Sequence, residues 1–289
     1  MGIRTNMHLL KSQKAVLVIV FGAILVATPI ILMMSLEPDH PNGWIPTDVQ
    51  PTDWPPTEEV KITLLNIAGV MIEAKGMRIY IDPYAIPDNY TELPADIILV
   101  THPHFDHYSL FDIQDIEKND TIFIFPENMT VEIERHDGIG LDPGESHQVG
   151  DINITAFYMY TLDRPYMPSS HPKESNWTSY IIDIDGFKIF HAGDAKYMDE
   201  YESITEVIDV AFLPIYWDGA MGGIDVSLSP IVDVVETIQP KNMVPTHYNS
   251  LENDTFISDY SSQIESAGCT ILNLAFFESF TFTLDENPS

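Results

Sequence analysis

Apolar residues follow three different patterns along the chain. The first is an unbroken run, AVLVIVFGAILVATPIILMM, from Ala15 to Met34. At about 1.5 Å per helical residue such a run spans roughly 30 Å, the thickness of a bilayer core. It predicts one N-terminal transmembrane helix. A cleaved signal peptide has a shorter apolar core, about 7–15 residues, followed by a small-x-small site that is missing here. The second pattern is a lack of apolar runs. Residues 35–59, SLEPDHPNGWIPTDVQPTDWPPTEE, are rich in proline and acid and read as a semi-extended linker. The third begins at Val60, where short apolar stretches alternate with turn residues to the end of the chain.

That third region predicts many strands and a few helices. VKITLLNIAGVMIEAKGMRIYIDP reads as strands punctuated by Gly69 and Gly76. ADIILVTHPHFDH is a short buried strand running into a loop. SLFDIQDIEK predicts a short helix capped by Ser109. TIFIFPE, the two halves of HQVGDINITAFYMY, and IDVAFLPI read as further strands. WTSYIIDIDGFKIFHAGD predicts a hairpin turning at Asp185-Gly186. SLSPIVDVVETIQP predicts a helix with Ser229 at its cap and Pro230 at its first position. KNMVPTHY reads as a strand ending at His247, followed by a helix and one or two closing strands. Short strands and helices with short connections predict an α+β or α/β sandwich. The organisation is therefore a short cytoplasmic N-terminus (1–14), an anchor (15–34), a linker (35–59) and one domain (60–286).

Charge places the domain. Arg4, Lys11 and Lys14 precede the apolar run, and Glu37 and Asp39 follow it. The positive-inside rule puts the N-terminus in the cytoplasm and the domain outside. Six Asn-x-Ser/Thr triplets, at Asn89, Asn119, Asn128, Asn153, Asn176 and Asn253, agree with an exported domain. The net charge of −31 argues against nucleic acid as a partner, because a phosphate backbone would be repelled. Cys269 is the single cysteine, so neither an intrachain disulfide nor a thiolate-rich zinc site is available.

The chemistry lies in VTHPHFDHYS, where His102, His104, Asp106 and His107 fall within six positions. In an extended segment alternate side chains share a face, so His102 and His104 point together. Imidazoles and a carboxylate without thiolate suit zinc, with manganese or iron as alternatives. Further polar candidates at strand ends are His171, Asp194 and His247. Each alone reads as an ordinary structural residue; their order after the first cluster singles them out. His191 reads as core or as a support for the ligands, and His136 and His147 as solvated loop residues. Lys173, Arg164, Lys196 and Tyr248 are candidate anion binders, and Tyr216 and Trp217 candidate pocket walls. For each of these a surface or core role is an equal reading.

VTHPHFDHYS, PGESHQVGDINITAF, HPKESNWTSYIIDIDGFKIFHAGD, IDVAFLPI and PKNMVPTHY together resemble the metallo-β-lactamase superfamily. The resemblance is to its metal-dependent hydrolase branch, which includes ascorbate-phosphate lactonase-like proteins, and it covers about Val60 to Thr283. It implies a four-layer αββα sandwich with two divalent metals at one edge. His102, His104 and His171 would hold the first metal, Asp106, His107 and His247 the second, and Asp194 would bridge both. It further implies hydrolysis of a small-molecule lactone, ester or amide by a metal-bound hydroxide that Asp106 helps to orient. A phosphodiesterase of the same fold, with lipid as one substrate class, and a non-catalytic metal-binding domain are the alternatives. Ala195 departs from the Gly-Asp-Thr usual in this branch, which removes a hydroxyl next to the bridging ligand.

Overall fold

The computed structural model describes residues 58–162, 168–215 and 229–284. The Ala15–Met34 run, nearly all of the linker, Arg164, Tyr216 and Trp217 lie outside them. Among the described residues no helix is long and apolar enough to cross a membrane.

Among the described residues fourteen strands form two seven-stranded mixed sheets. The first contains β1 (Glu59–Leu64), β2 (Val70–Ala74), β3 (Met77–Ile81), β4 (Ile97–Leu99), β5 (Ile122–Pro126), β6 (Ile139–Leu141) and β14 (Ser279–Thr283), in the order β14-β1-β2-β3-β4-β5-β6. The second contains β7 (Ser146–Val149), β8 (Ile152–Tyr158), β9 (Thr178–Ile184), β10 (Phe187–His191), β11 (Val210–Pro214), β12 (Asn242–Thr246) and β13 (Thr270–Ile271), in the order β13-β12-β11-β10-β9-β8-β7. Each sheet has an antiparallel half and a parallel half. Pairing from β3 to β6 and from β10 to β13 is parallel, so those strands end on a common edge.

Strand alternation explains why two sheets stack and still need helices outside. In β2, β3, β4 and β5, Ile72, Ile79, Leu99 and Ile124 enter the core between the sheets. The intervening Met71, Tyr80, Ile98 and Phe123 form a second cluster on the outer face. Ile113 and Ile116 of helix α1 (Leu110–Ile116) cover that cluster. On the other sheet, Ile231, Val234 and Val235 of α3 (Ser229–Ile238) and Phe256 and Ile264 of α4 (Ser250–Ser266) join the core. With both faces buried, the strands read as continuous apolar runs. Each fully buried Ile or Phe contributes about 1.5–3 kcal/mol of transfer free energy.

Several expected features are in place. The Ser109 hydroxyl accepts the Asp112 N–H at the start of α1. Asp185 and Gly186 both have positive φ, +52° and +88°, the geometry of a tight hairpin between β9 and β10. Helix α2 (Thr130–His136) and β6 are additional to the predicted elements. His136 and His147 are not loop residues. His136 ends α2, where its ring stacks 4.3 Å from Phe123 and a nitrogen lies 3.1 Å from the Tyr108 hydroxyl. His147 pairs with Ile154 inside the β7–β8 ladder.

Candidate metal centre

The site forms where the parallel strands end. His102, His104, Asp106 and His107 follow β4, Asp194 follows β10, and His247 follows β12. His171 precedes β9, whose start lies beside the end of β10 because that pair is antiparallel. All seven predicted ligands therefore converge at one edge. Hydrogen bonds between loops and strands of the two sheets hold that edge in register. Thr178 N–H donates to Thr101 O (3.2 Å), and His247 N–H to Ile67 O (2.8 Å). The Tyr180 hydroxyl donates to Val100 O (2.8 Å).

The ligand atoms fall into two groups. His102, His104, His171 and Asp194 place one donor atom each within 4.8 Å of one another, and so do Asp106, His107 and His247. The Asp194 carboxylate links the groups. Its Oδ2 lies 3.8 Å from His102 Nε2 and 3.2 Å from His171 Nε2. Its Oδ1 lies 3.0 Å from His107 Nε2 and 3.4 Å from His247 Nε2. Asp106 Oδ2 is 3.6 Å from His247 Nε2, and His102 Nε2 is 3.0 Å from His104 Nδ1. The buried atoms His107 Nε2, His171 Nε2 and Asp194 Oδ1 make no hydrogen bond within the protein. Buried polar atoms are costly to leave unsatisfied, so donors aimed at a shared space fit a cation. Nitrogen and carboxylate donors without sulfur fit a divalent ion of the zinc, manganese or iron type.

The outer nitrogens of the imidazoles explain why their inner nitrogens face inwards. His107 Nδ1–H donates to Asp82 Oδ2 (2.7 Å), which leaves Nε2 with its lone pair. His102 Nδ1–H donates to Thr101 Oγ1 (2.9 Å), and that hydroxyl donates to Asp82 Oδ2 (2.6 Å). Asp82 Oδ1 accepts the Thr101 N–H at 2.7 Å. One fully buried carboxylate thus orients a ligand from each group. His171 Nδ1 is similarly 3.0 Å from the Ser170 hydroxyl. Asp82, in YIDP at the end of β3, was not among the residues expected from sequence.

The electrostatics follow from burial and close partners. Burial lowers His102 well below the usual imidazole range, and also lowers His104, so both favour the neutral, ligating form. Burial opposes charge on His107, but Asp194 and Asp82 outweigh it and raise its pKa. Burial likewise opposes charge on Asp194 and Asp106. His107 and His247 beside Asp194, and His247 and His107 beside Asp106, hold both carboxyls below their usual range.

His191 is buried, with Nε2–H donating to Ala68 O (2.7 Å) and Nδ1 accepting the Gly193 N–H (3.1 Å), so it braces the Asp194 loop. Gly193 has φ +58°, and a Cβ there would meet Thr101 side-chain atoms at 3.1 Å. Ala195 is buried. Among the described residues the candidate anion binders are otherwise engaged. Lys173 pairs with Glu200, Lys196 Nζ donates to Pro214 O (2.9 Å), and the buried Tyr248 hydroxyl donates to Leu274 O (3.1 Å). Trp177 is an unforeseen wall, its ring 5.3, 5.2 and 5.8 Å from those of His102, His104 and His171.

Comparison with known proteins agrees with this geometry. The β-lactamase superfamily domain matches residues 61–247. A UPF0173 metal-dependent hydrolase of Bacillus velezensis is 31% identical over 207 residues, covering 66% of this chain and 86% of that protein. One from Thermococcus onnurineus is 32% identical over 208 residues, covering 66% and 85%. The crystal structure of a proposed metal-dependent hydrolase from Parabacteroides distasonis is 28% identical and superposes with a TM-score of 0.61, covering 73% of this chain and 91% of that one. The metallo hydrolase Igni18 of Ignicoccus hospitalis, 23% identical, shares the fold with a TM-score of 0.64 over 78% of this chain and all of its own. The chain belongs to the metallo-β-lactamase superfamily, among its metal-dependent hydrolases.

Proposed function

We propose that this chain is a membrane-anchored, exported hydrolase with a binuclear metal centre that cleaves a lactone or another ester or amide bond. The division of the two Asp194 oxygens between two donor groups is the observation that carries the reading. His102, His104, His171 and Asp194 would hold one ion, and Asp106, His107, His247 and Asp194 the other. Zinc is the first choice, with manganese or iron as alternatives. Such ions supply Lewis acidity and make water a nucleophile near neutral pH. The protein's own groups do the positioning. Asp82 fixes the tautomers of His102 and His107. Asp106, with its side chain 22% exposed, stands at the open side, where it can accept a proton from water and orient it towards a carbonyl carbon.

A single structural ion would be closed by one group of four donors. The second, partly open group therefore supports catalysis over a scaffold role. Among the described residues every lysine and arginine already has an acidic, carbonyl or hydroxyl partner, which favours the carboxylic reading over the phosphodiester one. Export rests on the flanking charges of the Ala15–Met34 run and on the Asn-x-Ser/Thr triplets, of which Asn119, Asn128 and Asn176 are exposed. The test is to load the purified full chain with zinc or manganese and assay lactones, carboxylic esters, amides and phosphodiesters beside Asp194→Ala. Turnover of a carboxylic substrate, reduced at least about a hundredfold in the variant, is the expected result. Turnover of phosphodiesters alone would replace the carbonyl reading.

A further inference from the structure

The loops around the metal centre carry exposed apolar residues where solubility alone would favour polar ones. Phe105 sits between His104 of one donor group and Asp106 of the other, yet the residue is 73% exposed. The ligands on either side fix its backbone beside both groups. Its ring makes an edge contact with Tyr84 at 5.9 Å. On the side of His171, Leu162 is 65% exposed and follows Thr161, whose N–H donates to His171 O (2.9 Å). Trp177 closes the space behind His102, His104 and His171. Exposed large apolar groups flanking a polar centre mark a recognition surface better than scattered ones do.

Charge points the same way. The chain carries a net charge of −31, and its described cations are already engaged. An anionic substrate is therefore disfavoured away from the metals themselves.

Resting on the hydrolase reading above, we propose that the substrate is an uncharged ester, lactone or amide with an apolar portion, and that Phe105, with Tyr84 and Leu162, selects it by packing against that portion. In the hydrolysis of an ester of this class, the water oxygen bonds to the acyl carbon and the carbon–oxygen bond to the alcohol breaks. One water hydrogen leaves with the alcohol, and the other is released when the new carboxylic acid ionises.

The test uses the zinc-loaded full chain and two hydroxamates that share a metal-binding head, acetohydroxamate and octanohydroxamate, with affinities read by calorimetry. The longer tail should bind at least about tenfold tighter, since each buried methylene contributes measurably. Phe105→Ala should reduce that advantage, the ratio of the two affinities, by about threefold or more. Val131→Ala, an exposed apolar residue on α2, should leave both affinities as they are. Equal affinities in the parent, or an advantage that survives in both Phe105→Ala and Tyr84→Ala, would overturn the inference alone. Failure of both compounds to bind would overturn the metal-centre reading and this inference with it.

Discussion

Asp82→Asn separates the role of a buried charge from that of backbone shape. Asp82 adopts φ +48°, a left-handed conformation that asparagine tolerates about as well as aspartate, so the substitution keeps the turn. What changes is the accepting capacity. Oδ2 accepts from Thr101 Oγ1–H and from His107 Nδ1–H, and Oδ1 accepts from Thr101 N–H. An amide nitrogen in place of Oδ2 would face two donors, and flipping the amide moves the conflict to the Thr101 N–H. The least costly escape for His107 is to carry its proton on Nε2, which removes the lone pair from the donor group. Loss of a partner to a ligating histidine typically costs about 10–100-fold in metal affinity. Charge-assisted hydrogen bonds contribute about 1.5–3 kcal/mol each, so the metal-free fold should also lose roughly 3 kcal/mol. Competition against a chromophoric chelator measures the first effect, and urea unfolding of the metal-free chain the second. Unchanged affinity for both metal equivalents in Asp82→Asn would refute the argument that this carboxylate sets the ligand tautomers.

Three further outcomes follow from neighbouring geometry. Gly193→Ala should destabilise the protein by about 1–2 kcal/mol through its left-handed φ alone, and should weaken metal binding as well because the new Cβ presses on Thr101; thermal unfolding and metal content check both. His191→Ala leaves the Ala68 carbonyl and the Gly193 N–H without their present partner and should cost about 1–3 kcal/mol in chemical unfolding, with metal stoichiometry retained. Burial pushes the Cys269 thiol up to about 12, so at pH 8 it should resist iodoacetamide in the folded chain and react once denaturant unfolds it.

The ligands were legible from sequence to the extent that their signal was local. His102, His104, Asp106 and His107 are near neighbours in the chain, and the strand period alone aligns the first two. Asp82 gave no such signal, because its partners Thr101 and His107 are 19 and 25 residues away and meet it only when β3 and β4 pair. Trp177 was hidden for the same reason, since its indole reaches the imidazoles only once the start of β9 docks on the β4 loop. Helix α2 escaped because it buries none of its residues fully, so there is no apolar stripe for a 3.6-residue period to display. Strands β2 to β5 showed as apolar runs, but burial on both faces erased the alternation that would have told inner from outer positions. The cross-sheet bonds at the site edge, such as His247 N–H to Ile67 O, have no signature in sequence at all.

In the proposed function the Asp194 carboxylate would join two separate metal sites. Elemental analysis of the reconstituted full chain beside His171→Ala, His247→Ala and Asp194→Ala tests it most directly. About two divalent ions per chain are expected in the parent, about one in each histidine variant and fewer than one in Asp194→Ala. A parent that takes up a single ion, or an Asp194→Ala variant that keeps two, would contradict it.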